Sequence, residues 1–376
     1  MATPTPTAAE FQAAGLYDPA APGAADRLAL LEWLVQQDIS IEQMRAHEPT
    51  RSLITLAGDL VVRPGRRMTI AEAARRAGAP PELVQGMRVA SGLPPAGPDE
   101  LAFTQQDVIT FQTFAAGATL FGEAAMLQFS RVLGASVARI AEAAIALFIA
   151  NVELPAREAQ ASPLELAQAN LTGVQSLGVL PSTIETFLRA HFELAIERQR
   201  RARDPARTRG DLLTLTVGFV DLVGFTPLAR RLSIEELGSL VGRFEGLASD
   251  VVTAGSGRLV KQIGDAVMFV APDAGAACEI ALRLLEQFAP DDIVRPRGGL
   301  ASGQVLMRGG DYYGPVVNLA SRLGDLAVPR EILVTPAVVD GARGAPYAFE
   351  PAGKRMLKGV EEPQAVFTAS RVAPQP

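Results

Sequence analysis

Two aspartates, a lysine and a polar stripe on an otherwise apolar helix are the residues of this sequence best suited to chemistry. Asp221 stands in "FVDLVGFT", where a β-rich run gives way to a glycine turn. Asp265 stands at the tip of a hairpin read from "RLVKQI" and "AVMFVA", joined by Gly264-Asp265. Glycine first in a two-residue connection fits a tight turn. A strand end and a neighbouring hairpin tip bring two carboxylates close together, where like charges repel strongly without a cation. A divalent metal resolves that conflict, and Mg²⁺ favours one or two carboxylates completed by phosphates and water. Two such ions activate an attacking oxygen while clamping a phosphate. The turn after Asp221 adds the backbone N–H groups of Phe225 and Thr226 at a helix start, suited to phosphate oxygens. Lys261 interrupts the apolar strand four residues before Asp265, where the alternative is a lysine on a sheet edge. In "GDYYGPVVNLASRL", residues 310 to 323, Gly314 and Pro315 signal a helix start. Val316, Leu319, Ala320 and Leu323 then share one face, and Asn318 and Arg322, four apart, share another, with Asp311 upstream. Either this is a surface helix with a solvated side, or the stripe lines a site whose partners lie elsewhere in the chain.

The elements that must position these residues fall into two halves. A chain of 376 residues is long enough for two domains. With 48% hydrophobic and 20% charged residues it is globular, and a net charge of −6 argues against a large nucleic-acid surface. One cysteine, Cys278, excludes an internal disulfide framework and fits a reducing compartment. It reads as a small apolar helix residue, and with two histidines it is too little for a Cys/His metal cluster. Residues 1–25 read as a Pro/Ala-rich flexible tail without the pattern of a secretory signal. Residues 26–196 have helical spacing throughout, with Thr104 and Asp107 marking one start. Residues 197–210 form an Arg-rich linker or a helix extension running into one. After it comes strand, helix, hairpin, helix and strands again, an α+β sheet with helices on one face.

Within the helical half, residues 68–94 resemble a helix-turn-helix with its turn around Gly78 to Pro81. The second helix offers only Gln85 and Arg88, beside Glu82, so it reads as a packing unit with no nucleic acid expected. The most membrane-like stretch is "IAEAAIALFIANVEL", whose uncharged run between Glu142 and Glu153 is too short to cross a bilayer. With Arg131, Arg139 and Glu142 before it, this suits a buried or interfacial helix of a cytoplasmic protein with no transmembrane segment. Helices such as 124–150 either pack as core or hold an apolar ligand, for example a lipid.

"FVDLVGFT", "LVKQIGDAVMF" and "DYYGPVVNLASRL" resemble the three signature segments of the class III nucleotidyl cyclases, in that family's order and internal spacing. The resemblance covers residues 211–372 and implies a ferredoxin-like α+β catalytic domain. It implies that Asp221 and Asp265 hold two Mg²⁺ or Mn²⁺ ions per site, with the carbonyl of Leu222 as an additional ligand. Lys261 and Asp311 match the pair that reads the purine edge; a donor for N1 and an acceptor for the 6-amino group fit ATP rather than GTP. Asn318 would orient the ribose, and Arg322 would meet the charge growing on the α-phosphate. Lys358, in "MLKGVEEPQAVF", matches a lysine on the terminal phosphates. The family builds its site at a head-to-tail interface, so a homodimer would form two complete sites giving 3′,5′-cyclic AMP and pyrophosphate.

A helical domain, a short linker and a cyclase domain in that order are similar to soluble actinobacterial adenylyl cyclases whose helical domain regulates the catalytic dimer by pH. The histidines are His47 and His191, and His191 precedes the linker in "FLRAHFELAIERQRR". Histidine titrates under mild acidification, so His191 is the expected regulatory residue, against the alternative of an ordinary packed or surface histidine. The rival function is a nucleotide-binding signalling or DNA-associated module with weak or no cyclase activity.

Overall fold

The computed structural model describes residues 6–48, 52–202, 212–288, 295–357 and 362–372. The chain divides into two compact units, Met1–Leu188 and Arg189–Pro376. The first is built from α1 (Ala8–Ala13), α2 (Ala24–Gln36), α3 (Ile41–His47), α4 (Leu53–Val62), α5 (Ile70–Ala77) and α6 (Pro81–Ala90). It continues with α7 (Gln105–Phe121), α8 (Glu123–Phe148), a π-helical turn at Ile149–Glu153, α9 (Leu154–Glu158) and α10 (Pro163–Ser176). Thr7, Ser40, Thr104 and Ser162 each close a capping box with the residue three positions on, which satisfies two otherwise orphaned N–H groups at each start.

Two expectations for this half need correction, and a third is qualified. Residues 1–25 are not simply a flexible tail: from Ala8 to Ala13 the chain is helical, and Phe11 and Leu16 are buried with Leu30, Leu31, Leu34 and Met44. The Pro/Ala composition hides a fully buried aromatic anchor, Phe11, on a helix with a good cap. Second, α8 is not a buried helix: Ser130 is its only buried residue, with Met126 and Leu127 partly buried against the core of α5 to α7. Phe129, Leu133, Val137 and Ile145 are instead exposed on its surface. Third, the helix continues through Glu158, and Glu123–Glu158 is long and apolar enough by length and composition to cross a membrane. The run between Glu142 and Glu153 is only part of it. Arg131, Arg139 and Glu142 would each be costly in hydrocarbon.

In the helix-turn-helix-like segment, Gly78 takes the left-handed conformation (φ 68°) that ends α5. The side chains that would have to reach outward face the fold. Gln85 exchanges hydrogen bonds with the backbone of Ala96 at 3.0 and 3.2 Å. Arg88 donates to the carbonyl of Pro94 at 2.6 Å and lies over the Phe103 ring.

α11 (Leu180–Ala202) crosses from the first unit into the second. Glu197 to Ala202 continue this helix, and residues 203–210 of the expected linker lie outside the described residues. The second unit then alternates strands and helices. Its strands are β1 (Leu212–Val223), β2 (Arg258–Ile263), β3 (Ala266–Ala271), β4 (Arg295–Arg308), β5 (Asp311–Tyr313), β6 (Ile332–Val334), β7 (Tyr347–Arg355) and β8 (Gln364–Arg371). Its remaining helices are α12 (Phe225–Ala229), α13 (Ile234–Ala254), α14 (Ala274–Gln287), α15 (Pro315–Leu326) and α16 (Pro336–Gly341). The strand order is β2-β3-β1-β4-β6-β8-β7, with β5 attached to β4. β1 is central and antiparallel to both β3 and β4.

Alternation along β1 sends Val220 and Leu222 into a core with Phe244 of α13 and Ile280 of α14. Leu213, Leu215 and Val217 go to the other face, with Ala320 of α15. The expected arrangement with helices on one face is therefore incomplete, since α15 covers the opposite side. Glycine permits this. A Cβ on Gly299 would lie 2.3 Å from the backbone nitrogen of Gly324 and 2.4 Å from the carbonyl oxygen of Ala320, so only a glycine lets β4 and α15 approach so closely. Cys278 is fully buried in α14, and burial pushes its thiol up to about 12, as a packing residue rather than a reactive one.

Removing the anchor of α1 tests the correction to the N-terminus. Phe11→Ala is expected to destabilise the helical unit by about 3–5 kcal/mol in denaturant unfolding, whereas Gln12→Ala, at an exposed position, is expected to stay within about 0.5 kcal/mol of the parent.

Candidate active site

The end of β1 carries Asp221 between two partners, opposite Ala266 of β3 on one side and Arg297 of β4 on the other. The β2–β3 connection is the two-residue turn Gly264-Asp265, with Gly264 at φ 64°. This turn folds back on β1, so that the Leu222 N–H donates to the Asp265 carbonyl at 3.2 Å. The two aspartates are thus neighbours through backbone pairing alone. Burial raises the Asp221 carboxyl above its usual range; the paired Arg297 works against this, and the charges of Asp265 and Asp325 add to it.

Arg297 is the neighbour of Asp221 that sequence reasoning missed. Its Nε donates to Asp221 Oδ1 at 3.0 Å and its Nη2 to Oδ2 at 3.1 Å, the two-pronged geometry of an arginine–carboxylate pair. Nη1 is held by the carbonyls of Asp325 and Ala327 at the end of α15, at 2.8 and 2.9 Å. The available signal was an arginine inside the apolar strand "RGGLASG", the same kind of interruption that drew attention to Lys261.

These residues fit a hard divalent cation. Two carboxylates and the main chain at Leu222 offer oxygen donors alone, and excess negative charge at Asp221 already recruits a guanidinium. No group of three or more His, Cys, Asp or Glu residues forms a closed cage among the described residues. An ion here would complete its shell with water and substrate phosphates, as Mg²⁺ does and as Mn²⁺ accepts.

The second pair lies between β2 and β5. Lys261 Nζ is 2.5 Å from Asp311 Oδ2, while Asp311 Oδ1 accepts from the Tyr312 N–H at 2.8 Å. A register shift produces this. Leu259 faces Phe269 and Lys261 faces Met268, so Val260 is the extra residue of a bulge. Arg258, opposite Val270, and Lys261, opposite Met268, consequently lie on one face of the sheet.

Asn318 and Arg322 follow on α15, Asn318 exposed and Arg322 paired with Asp325 at 3.3 Å. Asp325 therefore touches Arg322 while its charge also acts on Asp221. Phe225 begins α12, a helix of five residues capped by Gly224 at φ 88°, and its ring packs on the core. Thr226 follows it in the same helix. Lys358 lies outside the described residues. His191 is exposed on α11.

The Arg297–Asp221 pair gives a pH-dependent stability test. A carboxyl whose folded pKa is raised favours folding most while protonated, and loses that contribution as pH rises through the folded pKa. Arg297→Met removes the group that opposes the rise, so the deficit against the parent must grow with pH. The variant's loss in Tm is expected to be about 2–4 °C larger at pH 8 than at pH 5, read by thermal denaturation; an equal loss at both would deny that the two groups are coupled.

Comparison with known proteins places the chain in a family. The family described as "Adenylate cyclase regulatory domain" matches residues 9–194, and that described as "Adenylate and Guanylate cyclase catalytic domain" matches residues 211–370. An adenylate cyclase from Streptomyces coelicolor is 37% identical over 291 residues, 75% of this chain and 73% of its own length. A pH-sensitive adenylate cyclase from Mycobacterium tuberculosis is 33% identical over 367 residues, 93% of this chain and 89% of its own. Among solved structures, an adenylyl cyclase from P. aeruginosa aligns over 42% of this chain and 94% of its own, at 24% identity and a TM-score of 0.38. The chain belongs to the adenylate cyclase family, in which a regulatory domain precedes the catalytic domain.

Proposed function

We propose that this enzyme converts ATP to 3′,5′-cyclic AMP and pyrophosphate at the interface of a homodimer. The observation that carries the reading is the Lys261–Asp311 pair, a donor and an acceptor held side by side at 2.5 Å. Purine edges present adjacent hydrogen-bonding positions, and adenine offers an acceptor at N1 beside a donor at its 6-amino group. Lys261 donates to the first and Asp311 accepts from the second. Guanine reverses both positions, which leaves two charged groups mismatched against it.

Asp221, Asp265 and the carbonyl of Leu222 would hold two Mg²⁺ or Mn²⁺ ions. When bound, these ions favour ionisation of the ribose 3′-hydroxyl and screen the phosphate charge. Backbone N–H groups of Phe225 and Thr226 meet phosphate oxygens, and Lys358 meets the terminal ones. Asn318 orients the ribose. Arg322 meets the charge that develops on the α-phosphate as the 3′-oxygen attacks in line and the bond to the leaving pyrophosphate breaks. The hydroxyl proton passes to solvent.

Asp221 and Asp265 of one subunit act with Lys261, Asp311, Asn318 and Arg322 of the other. Asn318 and the partly exposed Arg322 are oriented on α15 where a second copy can reach them. Asp221→Ala and Arg322→Ala are each expected to lower cyclic AMP formation by at least about 100-fold. Mixing the two inactive proteins restores one intact site in every mixed dimer, about a quarter of parental activity if subunits exchange at random. No recovery on mixing would place all six residues in one subunit. Nucleotide binding without product in the parent protein would make it a binding module.

The helical unit regulates this site, with pH as stimulus and His191 as the titrating group, in a cytoplasmic protein. A change of charge on α11, the helix that leads into the catalytic unit, is the physical basis for that regulation. The parent is expected to differ in activity between pH 5.5 and pH 8, and His191→Ala to lose about half or more of that difference. An unchanged pH–activity profile in the variant would remove His191 as the sensor.

A further inference from the structure

Lys261 and Asp311 work as a reader of one base only while the spacing between them is kept, and the sheet does not keep it. β2 and β5 are not neighbours: β3, β1 and β4 stand between them in the strand order. No ladder of backbone hydrogen bonds therefore fixes the strand that carries Lys261 against the strand that carries Asp311. β5 itself is three residues long and joined to β4 through Gly309 and Gly310, both at positive φ (61° and 80°). That is the backbone of a tight primed turn, with little side-chain mass to stiffen it.

One side chain bridges the gap. Arg258 begins β2, and the bulge at Val260 puts it on the same face as Lys261. Its Nη2 donates to the carbonyl of Gly310 at 2.8 Å, and its Nη1 to the Tyr312 hydroxyl at 3.2 Å. The guanidinium also lies over the Tyr312 ring, 5.5 Å from its centroid, an attractive placement for a cation. Gly310 and Tyr312 are the residues on either side of Asp311. Tyr312 is in turn anchored, 5% exposed, in the core that includes Met268, Val270 and Ala320. Arg258 thus grips both flanks of Asp311 from the strand that bears Lys261, and leaves the carboxylate itself to Lys261 and the Tyr312 N–H.

We propose that Arg258 is a positioning residue for base recognition, which sets the separation of Lys261 and Asp311 and so the preference for a base carrying a 6-amino group. This rests on the reading of Lys261 and Asp311 as the adenine pair. Arg258 touches neither substrate nor metal in this scheme. A planar guanidinium is suited to the task, because it makes two divergent bonds and a ring contact at once. Lysine retains the charge and one bond.

The test uses the full-length protein with ATP and with purine riboside triphosphate, which keeps N1 but lacks the 6-amino group. Each nucleotide is measured as substrate, or as inhibitor of ATP turnover if it is not turned over. Asp311→Ala serves as reference and is expected to lose the preference for ATP over the analogue. Arg258→Met is expected to lower kcat/KM for ATP about tenfold, mainly through KM, and to change the analogue's value less than about twofold. Arg258→Lys is expected to recover to within about threefold of the parent for ATP. In an Asp311→Ala background, Arg258→Met should have little further effect, the non-additivity of two residues acting through one contact.

Equal losses with both nucleotides would overturn the proposal, because a scaffold role weakens both alike. So would an unchanged ATP preference in Arg258→Met at parental Tm. Should Arg258→Met not fold, the comparison of the two nucleotides is made on Arg258→Gln, which loses the fork that reaches both Gly310 and Tyr312, with the same outcomes deciding. If Asp311→Ala itself keeps the preference for ATP, the adenine reading fails first and the role of Arg258 with it, an outcome distinct from failure at Arg258 alone.

Discussion

Two carboxylates brought together at the end of a central strand repel each other, and the catalytic unit is organised around that repulsion. Backbone pairing forces the closeness: β1 runs antiparallel to β3, and the turn at Gly264-Asp265 closes on Leu222. The fold then compensates with Arg297, whose guanidinium is divided between Asp221 and the carbonyls that end α15. A site with surplus negative charge, oxygen donors only and a single compensating cation is prepared for a stronger cation and for the phosphates that accompany it.

The same corner joins elements far apart in sequence. Arg297 ties β4 to α15, and Asp325 near the end of α15 meets Arg322 while its charge acts on Asp221. α15 can lie this close because Gly299 carries no side chain. The polar stripe of Asn318 and Arg322 is therefore held at a fixed height above the sheet by this close backbone approach and by the packing of Val316, Leu319, Ala320 and Leu323. At the other edge, one extra residue at Val260 changes which side chains face the site. A bulge of this kind alters the direction of a side chain without altering the hydrophobic pattern, which keeps the core of β2 and β3 intact while placing Lys261 and Arg258 together.

The helical unit has a different economy. Its cores are compact, with α1, α2, α4 and α10 closing one and α5 to α7 the other. Long polar side chains such as Arg88 and Gln85 spend their hydrogen bonds inside the unit. α8 does the reverse and leaves an apolar surface outside. Of the two features that drew attention in this half, the helix-turn-helix is thus accounted for by packing, while the long helix packs through Met126 and Leu127 and leaves most of its apolar residues outside.

The candidate site residues were legible because their types conflict with their surroundings: an aspartate where a strand ends, a lysine inside an apolar strand, an asparagine and an arginine on an apolar helix. Helical texture in the first half and the change of pattern after it were equally open to reading, since periodicity is a local property. What the sequence could not contain was contact across the sheet. Arg297 and Arg258 look like ordinary strand arginines until β4 is set beside β1 and β5 folds toward β2. Phe11 looks like part of a tail until α2 and α3 supply its core. The sequence by itself determined which residues are candidates for chemistry and the order of the elements that carry them, because motif spacing and hydrophobic period are written along the chain. Only the tertiary structure decided which charges are paired and on which face a side chain lies, because a one-residue bulge and a long-range strand pairing have no local signature.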